Sequence, residues 1–232
     1  MSWMSDGYTL LLDTSRNRQA LIEVTPVQEW LAPFPGGSLP EHWMPQPNLG
    51  GDWRIDPADG TLVGEVSKED ASILWCDRWL EGDHMIEFLA STRPPHDNDI
   101  SALWEGSGTW GEGDDEYCTI GGLGGWWQGY SGIEARGGSR SVTKTGALVV
   151  GQIYKTAAGR VTSVHAGADG QSTSRSQDFL FVNGKLVQQI TGAAPNDAGA
   201  EDRSLRPLRQ KSRVAITTLN SAIKIYGMRI ST

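Results

Sequence analysis

The sequence predicts an all-β fold, a two-sheet antiparallel β-sandwich of the jelly-roll type, from three observations. About eleven short segments rich in β-branched and aromatic residues follow one another along the chain, with turn residues between them. Helical periodicity is nearly absent. The 29 glycines and 11 prolines are dense enough to separate many short strands, but they show no repeat period. This combination is typical of a sandwich or a barrel.

Each strand-like segment is short and lies between turn residues. The segments are residues 52–55, 61–66, 72–76, 84–91, 100–105, 129–136, 147–154, 160–165, 178–190, 213–219 and 222–230. The segment 178–190 carries the strongest signal, because Asn183-Gly184 divides two apolar runs. That dipeptide favours the positive φ angles of a type I′ turn, so we expect a two-stranded hairpin there.

The N-terminal region differs from the rest of the chain. Residues 27–31, preceded by Thr25-Pro26, predict one or two helical turns at most. Residues 33–47 contain five prolines and predict an extended connection that wraps the sandwich or rims its cleft. We therefore expect a single domain over 1–232, in which 1–50 form an N-terminal strand and a proline-rich wrapping segment.

Composition excludes several classes of partner. The formal net charge is -8 with scattered acidic residues, so nucleic acid and anionic membranes are not expected partners. No apolar stretch approaches the roughly 20 residues of a membrane helix. The first residues lack the order of a secretory signal, which predicts a cytoplasmic protein. Cys76 and Cys118 are expected to be free thiols, and no motif predicts a metal or a cofactor.

Four stretches of sequence resemble a known superfamily. They read GDWRIDPADGTLVGEV (51–66), ILWCDRWLEGDHMIEFLAS (73–91), FLFVNGKLV (179–187) and IKIYGMRI (223–230). In this order they resemble the concanavalin A-like lectins and glucanases, and among them small bacterial jelly-roll domains of the YesU-like kind. The resemblance implies a curved sheet whose concave face, walled by long loops, takes a saccharide.

The superfamily contains lectins, hydrolases and lyases, so the resemblance alone does not choose an activity. Its best-known hydrolases carry an E-x-D-x-E pattern on one strand. Here Asp114-Asp115-Glu116 is contiguous and lies in a predicted loop, so the three carboxylates cannot share one sheet face. This departure counts against a typical retaining glucanase.

The long glycine-rich loop over 106–129 is the first candidate for ligand binding. Loops of this length in compact domains are usually functional or disordered. Three of the ten tryptophans of the chain, Trp110, Trp126 and Trp127, lie in this loop, and their flat rings suit the faces of sugars. We expect these three residues to bind substrate, although most tryptophans in proteins fill the core.

The segment after this loop provides the leading candidates for catalysis. In a strand, alternation places Tyr130, Glu134 and Arg136 on one face, opposite Ile133. Arginine binds carboxylates and hydroxyls, whereas tyrosine or glutamate transfers protons. The alternative is a solvent-facing polar strand with an ordinary Arg–Glu ion pair.

Three further residues have the chemistry of an acid or a base. Glu87 alternates with apolar neighbours, so it is either paired, shifted in pKa or directed at a cleft. Glu105 ends a strand at the mouth of the glycine-rich loop, on the face expected for Leu103. His165 closes the segment 160–165 and titrates in the range that suits proton transfer.

These residues lead to two functional hypotheses of different class. The first is an enzyme that cleaves a glycosidic bond. Hydrolysis would pair Glu134 with Glu87 or Glu105, and β-elimination would use Tyr130, Arg136 and His165. The second is a non-catalytic, lectin-like domain, for which the aromatic loop suffices. Both take a saccharide as partner, and neither determines whether the chain forms a homo-oligomer.

Overall fold

The computed structural model describes residues 10–14, 18–22, 25–66, 70–110, 118–125, 129–135, 140–166, 172–191 and 211–232. The described residues are almost entirely β-structure, with a single short 3-10 helix over Pro35–Gly37. No helix within these ranges is long and apolar enough to cross a bilayer.

The strands follow one another closely along the chain. They are β1 (Leu10–Thr14), β2 (Arg18–Ile22), β3 (Pro26–Leu31), β4 (Trp43–Pro45), β5 (Gly51–Ile55), β6 (Leu62–Val66), β7 (Ala71–Cys76), β8 (Leu80–Glu81), β9 (His84–Thr92), β10 (Ile100–Gly106), β11 (Thr119–Leu123), β12 (Tyr130–Ala135), β13 (Arg140–Lys144), β14 (Tyr154–Ala166), β15 (Ser172–Val182), β16 (Lys185–Thr191), β17 (Lys211–Leu219) and β18 (Ala222–Ser231).

Two antiparallel sheets account for most of these strands. Sheet I has the order β16-β15-β14-β9-β18-β6-β5, and β3 also pairs with β18. Sheet II has the order β13-β12-β11-β10-β17-β7-β4, and β8 pairs with β17. Strands β1 and β2 form a separate two-stranded hairpin. The predicted antiparallel β-sandwich is therefore confirmed.

The main core lies between the two sheets. Leu74 and Trp104 of sheet II and Ile86 and Phe88 of sheet I belong to one cluster of buried side chains. Met85 belongs to a second cluster with residues of β14 and β15. Because neighbours along β9 enter different clusters, β9 alternates between the core and the outer face of sheet I, as its sequence predicts.

Tryptophan rings in the core lie directly on the bare backbone of neighbouring strands. A Cβ atom at Gly121 would lie 2.7 Å from Cη2 of Trp104, and one at Gly64 would lie 2.5 Å from Cη2 of Trp53. No real Cβ atom approaches another carbon this closely, so these two positions require glycine. The glycines are therefore part of the packing of the strands, not only of the turns.

Two local predictions are confirmed. Asn183 and Gly184 have φ angles of 49° and 78°, which gives the turn between β15 and β16 the positive φ angles of type I′. Cys76 and Cys118 are free and buried. Burial raises the pKa of the Cys76 thiol, so this residue resembles a small apolar side chain more than a nucleophile.

Four local predictions are wrong. Residues 27–31 lie in β3, which pairs with β18, because tertiary pairing overrides a weak helical signal. Residues 147–153 are a loop held by buried Leu148, and only Tyr154 begins a strand. The supposed loop 106–129 contains β11, and the proline-rich segment contains the short strand β4.

Candidate functional site

The outer face of sheet II is the surface that unites the most candidate residues. Five residues on that face, Trp75, Ala215, Leu103, Ile120 and Glu134, are successive register partners across β7, β17, β10, β11 and β12. At about 4.8 Å between strands the row spans roughly 19 Å. Its four apolar members are buried and Glu134 is partly buried, so the row forms the packed floor of this face, and the groups that lie over it are the ones that a ligand could contact.

Trp110 is held on this face by a glutamine clamp. Oε1 of Gln46 accepts hydrogen bonds from the backbone N–H of Trp110 at 2.7 Å and from Nε1 of Trp75 at 2.9 Å. Its Nε2 donates to the backbone oxygen of Trp110 at 2.8 Å. Trp110 is partly buried and packs against the cluster that contains Trp75 and Leu103. The ring is thus preorganised before any ligand arrives, which lowers the cost of binding.

A second aromatic group lies near the end of the same sheet. The guanidinium carbon of Arg213 stacks 4.5 Å from the ring centroid of Trp79, whose relative exposure is 48%. A Cβ atom at Gly108 would collide with the Arg213 side chain, so the loop after β10 passes directly over this arginine. The stacked pair offers a flat ring face beside a cation.

Tyr130 and Glu134 share the outer face of sheet II, as alternation predicts. Ile133, between them in sequence, is buried in the main core. Tyr130 is 40% exposed and pairs in register with Lys144, while Glu134 is partly buried. Four residues along a strand separate their Cα atoms by about 13 Å. The two side chains are therefore placed to contact different parts of a ligand, not one reacting bond.

Glu87 lies on the opposite side of the molecule. Its neighbours Ile86 and Phe88 enter the main core, so Glu87 projects from the outer face of sheet I, where it is 1% exposed. Its register partner on β18 is Arg229, which in turn lies 4.0 Å from Glu29. Both sheets separate Glu87 from Glu134, so these two carboxylates cannot flank the same bond.

Glu105 lies between the sheets and not on the face of Leu103, where alternation predicts it. Its φ angle is 60°, and a β-bulge interrupts the register between Leu103 and Gly106. The bulge turns the side chain inward, as bulges commonly do. There Oε2 of Glu105 pairs with Nη1 of Arg160 at 2.9 Å, and Oε1 lies 3.5 Å from Nε2 of His84. The strict alternation assumed from the sequence fails at this residue.

The same arginine ties the two sheets together. Nε and Nη2 of Arg160 bind the two oxygens of Asp178 at 2.9 and 3.0 Å, and Oδ1 of Asp178 accepts Nε1–H of Trp104 at 2.8 Å. Burial by itself lowers the pKa of Arg160, but attraction from Asp178 and Glu105 outweighs burial and raises it. We assign this network a structural role, because each carboxylate is already occupied by the arginine.

The remaining predicted residues are only partly described. His165 lies in β14 of sheet I, where its backbone pairs with Thr173, and its side chain is outside the described set. Tyr130 lies in sheet II, so the predicted Tyr130–His165 combination involves two different sheets. Arg136, Trp126 and Trp127 lie outside the described residues.

Asp99 is a buried acid that the sequence did not single out as a site residue. Burial raises the pKa of Asp99 to about 7, although hydrogen bonds from the Ser101 hydroxyl and the Leu219 backbone N–H oppose the rise. Thr218 donates to its backbone oxygen at 3.0 Å. These contacts join the start of β10 to the end of β17, so Asp99 stabilises the corner of the sheet.

Sequence reasoning missed Gln46 and Arg213. Gln46 stands between two prolines, in a segment that was read only as a connection, and its partner Trp110 is 64 residues away. The five prolines of this segment are the signal that could have identified Gln46. A segment that cannot form extensive strand pairing runs along the edge of a sheet, where its side chains can contact residues of a neighbouring loop. Arg213 begins the predicted strand 213–219, but alternation along that strand does not show which of its faces packs against the core.

Described residues contain no group of three or more His, Cys, Asp or Glu side chains that could hold a metal ion. The residues on the outer face of sheet II are aromatic, aliphatic and singly charged. This arrangement is chemically suited to stacking and hydrogen bonding.

Comparison with known proteins yields structural likeness alone. No family model matches the chain, and no curated protein matches it. Among solved structures, an endo-acting O-glycanase of human gut microbiota described as initiating mucin breakdown has a TM-score of 0.58 at 8% identity, covering 89% of this chain and 98% of that chain. The carbohydrate recognition domain of Emp47p has a TM-score of 0.55 at 12% identity, covering 89% and 96%.

A third similar structure is an endo-β-galactosidase from Clostridium perfringens that releases GlcNAcα1-4Gal. Its TM-score is 0.53 at 10% identity, and the match covers 90% of this chain but 63% of that enzyme. Identities this low show the fold and nothing finer. Together with the two antiparallel sheets, they confirm the two-sheet jelly-roll fold that the sequence predicts.

Proposed function

We propose that this concanavalin A-like jelly roll binds a saccharide on the outer face of sheet II as a lectin-like domain. The observation that carries the proposal is the clamp of Gln46 on the backbone of Trp110, which holds a partly buried tryptophan against the outer face of sheet II. Rigid aromatic rings stack on sugar rings at little cost in conformational entropy. The occurrence of this fold in a carbohydrate recognition domain and in glycan-cleaving enzymes supports saccharide as the ligand class.

Four further groups would complete the binding surface. Tyr130 offers an exposed ring on β12 of sheet II, and Trp79 offers another in the connection between β7 and β8. Glu134 offers hydrogen-bond acceptors for sugar hydroxyls, and Arg213 offers a cation beside Trp79. Because these groups are spread along the face, we expect an oligosaccharide to bind more tightly than a monosaccharide.

Binding without cleavage is the better-supported reading because the predicted catalytic pairs do not assemble. Glu87 lies on the far side of the sandwich, and Glu105 is engaged by Arg160 between the sheets. Two carboxyl groups that flank the scissile glycosidic bond are the usual requirement for hydrolysis. Cleavage is a second candidate, favoured by the position of Glu134 on the same face as Trp110, and it is tested in the same experiment.

The test is a binding and product assay on an oligosaccharide panel. Binding is followed by calorimetry and tryptophan fluorescence, and products by mass spectrometry, for the wild type and for Trp110→Ala, Glu134→Gln and Glu65→Gln. Glu65 is a half-exposed carboxylate on sheet I, paired with Arg54, and serves as the matched control. Binding that weakens in the first two variants but not in the control, without product, supports the proposal. Products lost in Glu134→Gln would replace it with the enzymatic reading, and a panel with no binding would overturn both.

A further inference from the structure

A small pocket opens at the end of the sandwich where the 145–149 loop meets the β15–β16 hairpin. Its volume is about 250 Å³, below the roughly 300–1,000 Å³ of sites for drug-sized ligands. Leu123, Leu148 and Val187 line its apolar part, and Tyr154, Asn183 and Lys185 line its polar part. The pocket is therefore large enough for one sugar ring or a charged substituent, but not for an oligosaccharide.

The polar groups that line this pocket have hydrogen-bond donors to spare. The Tyr154 hydroxyl oxygen accepts the backbone N–H of Val149 at 2.9 Å, so its own O–H is directed elsewhere. Oδ1 of Asn183 accepts the backbone N–H of Lys155 at 2.9 Å. Since a backbone N–H needs an acceptor, this bond assigns the other end of the amide as a donor.

Lys185 provides the third set of donors. Within the described ranges its exposed ammonium group forms no ion pair with a carboxylate. A hydroxyl, an amide N–H₂ and an ammonium group are all donors in this arrangement. A ligand group that satisfies them must be rich in acceptors, as carboxylates and sulfates are.

The net charge of the sequence segment that contains most of the lining residues also favours an anionic ligand. Residues 135–191 contain seven Lys or Arg residues and two Asp residues, an excess of five positive charges. The rest of the chain contains 13 basic and 26 acidic residues, an excess of 13 negative charges. Lys144 precedes the lining residue Thr145, and Lys155 follows Tyr154. Lys144, Lys155 and Lys185 thus lie in the pocket lining or next to it in sequence, within a chain whose net charge is negative, and this local excess of cations favours an anionic ligand.

We infer that the pocket formed by Tyr154, Asn183 and Lys185 is a subsite for the anionic group, a carboxylate or a sulfate, of an acidic saccharide. The inference rests on the proposed saccharide binding and deepens it by naming the ligand class. Leu148 and Val187 pack against the ring that bears the anionic group, and the three donors bind its oxygens. The protein thus selects acidic over neutral glycans.

The test compares matched ligands with and without charge. The probes are glucose-, galactose- and N-acetylhexosamine-based oligosaccharides, each in neutral, 6-sulfated and C6-oxidised form, titrated at low and at physiological salt. Variants are Lys185→Gln and Tyr154→Phe, with Lys211→Gln as control, because Lys211 is also exposed and begins β17 at the opposite end of sheet II. Backbone amide shifts of residues 145–149 and 183–185 locate the bound group.

We expect an acidic form to bind about tenfold more tightly than its neutral counterpart, as one or two charge-assisted hydrogen bonds allow. Lys185→Gln should abolish this preference without weakening neutral binding, and Lys211→Gln should leave it intact. Preference for the sulfated form shows that the pocket binds a sulfate, and preference for the oxidised form shows that it binds a carboxylate. Either result supports the inference. Equal binding of neutral and acidic forms, unchanged in Lys185→Gln, overturns the inference but leaves saccharide binding standing. Failure of every saccharide to bind overturns both together.

Discussion

Arg160 of sheet I and Glu105 of sheet II form an ion pair inside the sandwich, with Nη1 of the arginine 2.9 Å from Oε2 of the glutamate. Asp178 holds the same guanidinium through two further hydrogen bonds. A charged group here has little access to water, so its partners determine whether it is tolerated. The pair therefore couples the stability of the two sheets and removes Glu105 from the set of residues free to do chemistry.

Breaking this pair should destabilise the fold. We expect Glu105→Gln and Arg160→Met each to lower the free energy of unfolding by about 3 kcal/mol, because the group left behind is buried without its counter-charge. Urea denaturation followed by circular dichroism measures the change. The control is Arg54→Met, which removes a surface pair with Glu65 and should cost about 0.5 kcal/mol. Equal losses in all three variants would contradict the structural role of the pair.

The clamp on Trp110 should be visible as energetic coupling. Gln46→Ala retains the Trp110 side chain but removes both hydrogen bonds that hold its backbone, so the ring is less well positioned and saccharide affinity should fall about tenfold. Adding Gln46→Ala to Trp110→Ala should cause little further loss, giving a coupling energy of about 1 kcal/mol in a double-mutant cycle measured by calorimetry.

A matched glutamine provides the control for that cycle. Gln188 accepts a hydrogen bond from Ser141 at 2.5 Å and donates to the Ser131 backbone oxygen at 3.2 Å, away from the outer face of sheet II. Gln188→Ala should reduce stability but leave saccharide affinity unchanged. Additive effects of Gln46→Ala and Trp110→Ala on affinity would show that the clamp does not position the ring.

Asp99 should make the stability of the fold depend on pH. An aspartate in an unfolded chain titrates near pH 4, and burial raises the pKa of Asp99 to about 7. Between pH 4 and pH 7 the folded protein keeps a proton on Asp99 that the unfolded chain has lost. The stability that this group contributes is therefore lost as pH rises through 7. We expect the loss between pH 5 and pH 8 to be about 3 kcal/mol. Urea denaturation at both pH values should show a smaller loss in Asp99→Asn, and an unchanged loss would show that Asp99 does not cause the dependence.

The turn at Asn183 should tolerate glycine better than alanine. Asn183 has a φ angle of 49° and caps the Lys155 backbone N–H with its side chain. Asn183→Ala loses this bond and strains the backbone, at a cost of about 2 kcal/mol, whereas Asn183→Gly loses only the bond, at about 1 kcal/mol. Thermal denaturation of both variants measures the difference. A Tm that is lower for glycine than for alanine would show that the positive φ angle is not what limits this position.

The strand pattern was predictable wherever side-chain alternation and turn chemistry agreed. β9, β12 and the hairpin around Asn183-Gly184 lie close to the predicted segments, because each buries one face against the other sheet. β11 was not predicted, since its glycines suggest a loop when they are read alone. Gly121 leaves space for Trp104 of the neighbouring strand β10, and Gly122 allows the close approach of Ser101 of the same strand, and both reasons are visible only in three dimensions.

The sequence predicts on which face of its own strand a site residue lies, but it does not predict which site residues come together in the folded protein. Alternation assigned Tyr130 and Glu134 to one face correctly, and it also described β9 correctly around Glu87. It could not show that Glu87 and Glu134 lie on different sheets, because strand order is a non-local property. Glu105 departed from the pattern through a single residue with positive φ, which nothing in its local sequence indicates.

The contact of Trp104 with Gly121 turns two positions in sequence into one unit for protein engineering. Enlarging residue 121 without shrinking residue 104 forces two atoms into the same space, and shrinking residue 104 alone leaves a void beside the backbone. A mutant library that varies the two codons separately would therefore sample mostly clashes and holes. Redesign of this sandwich must exchange both residues in a single step.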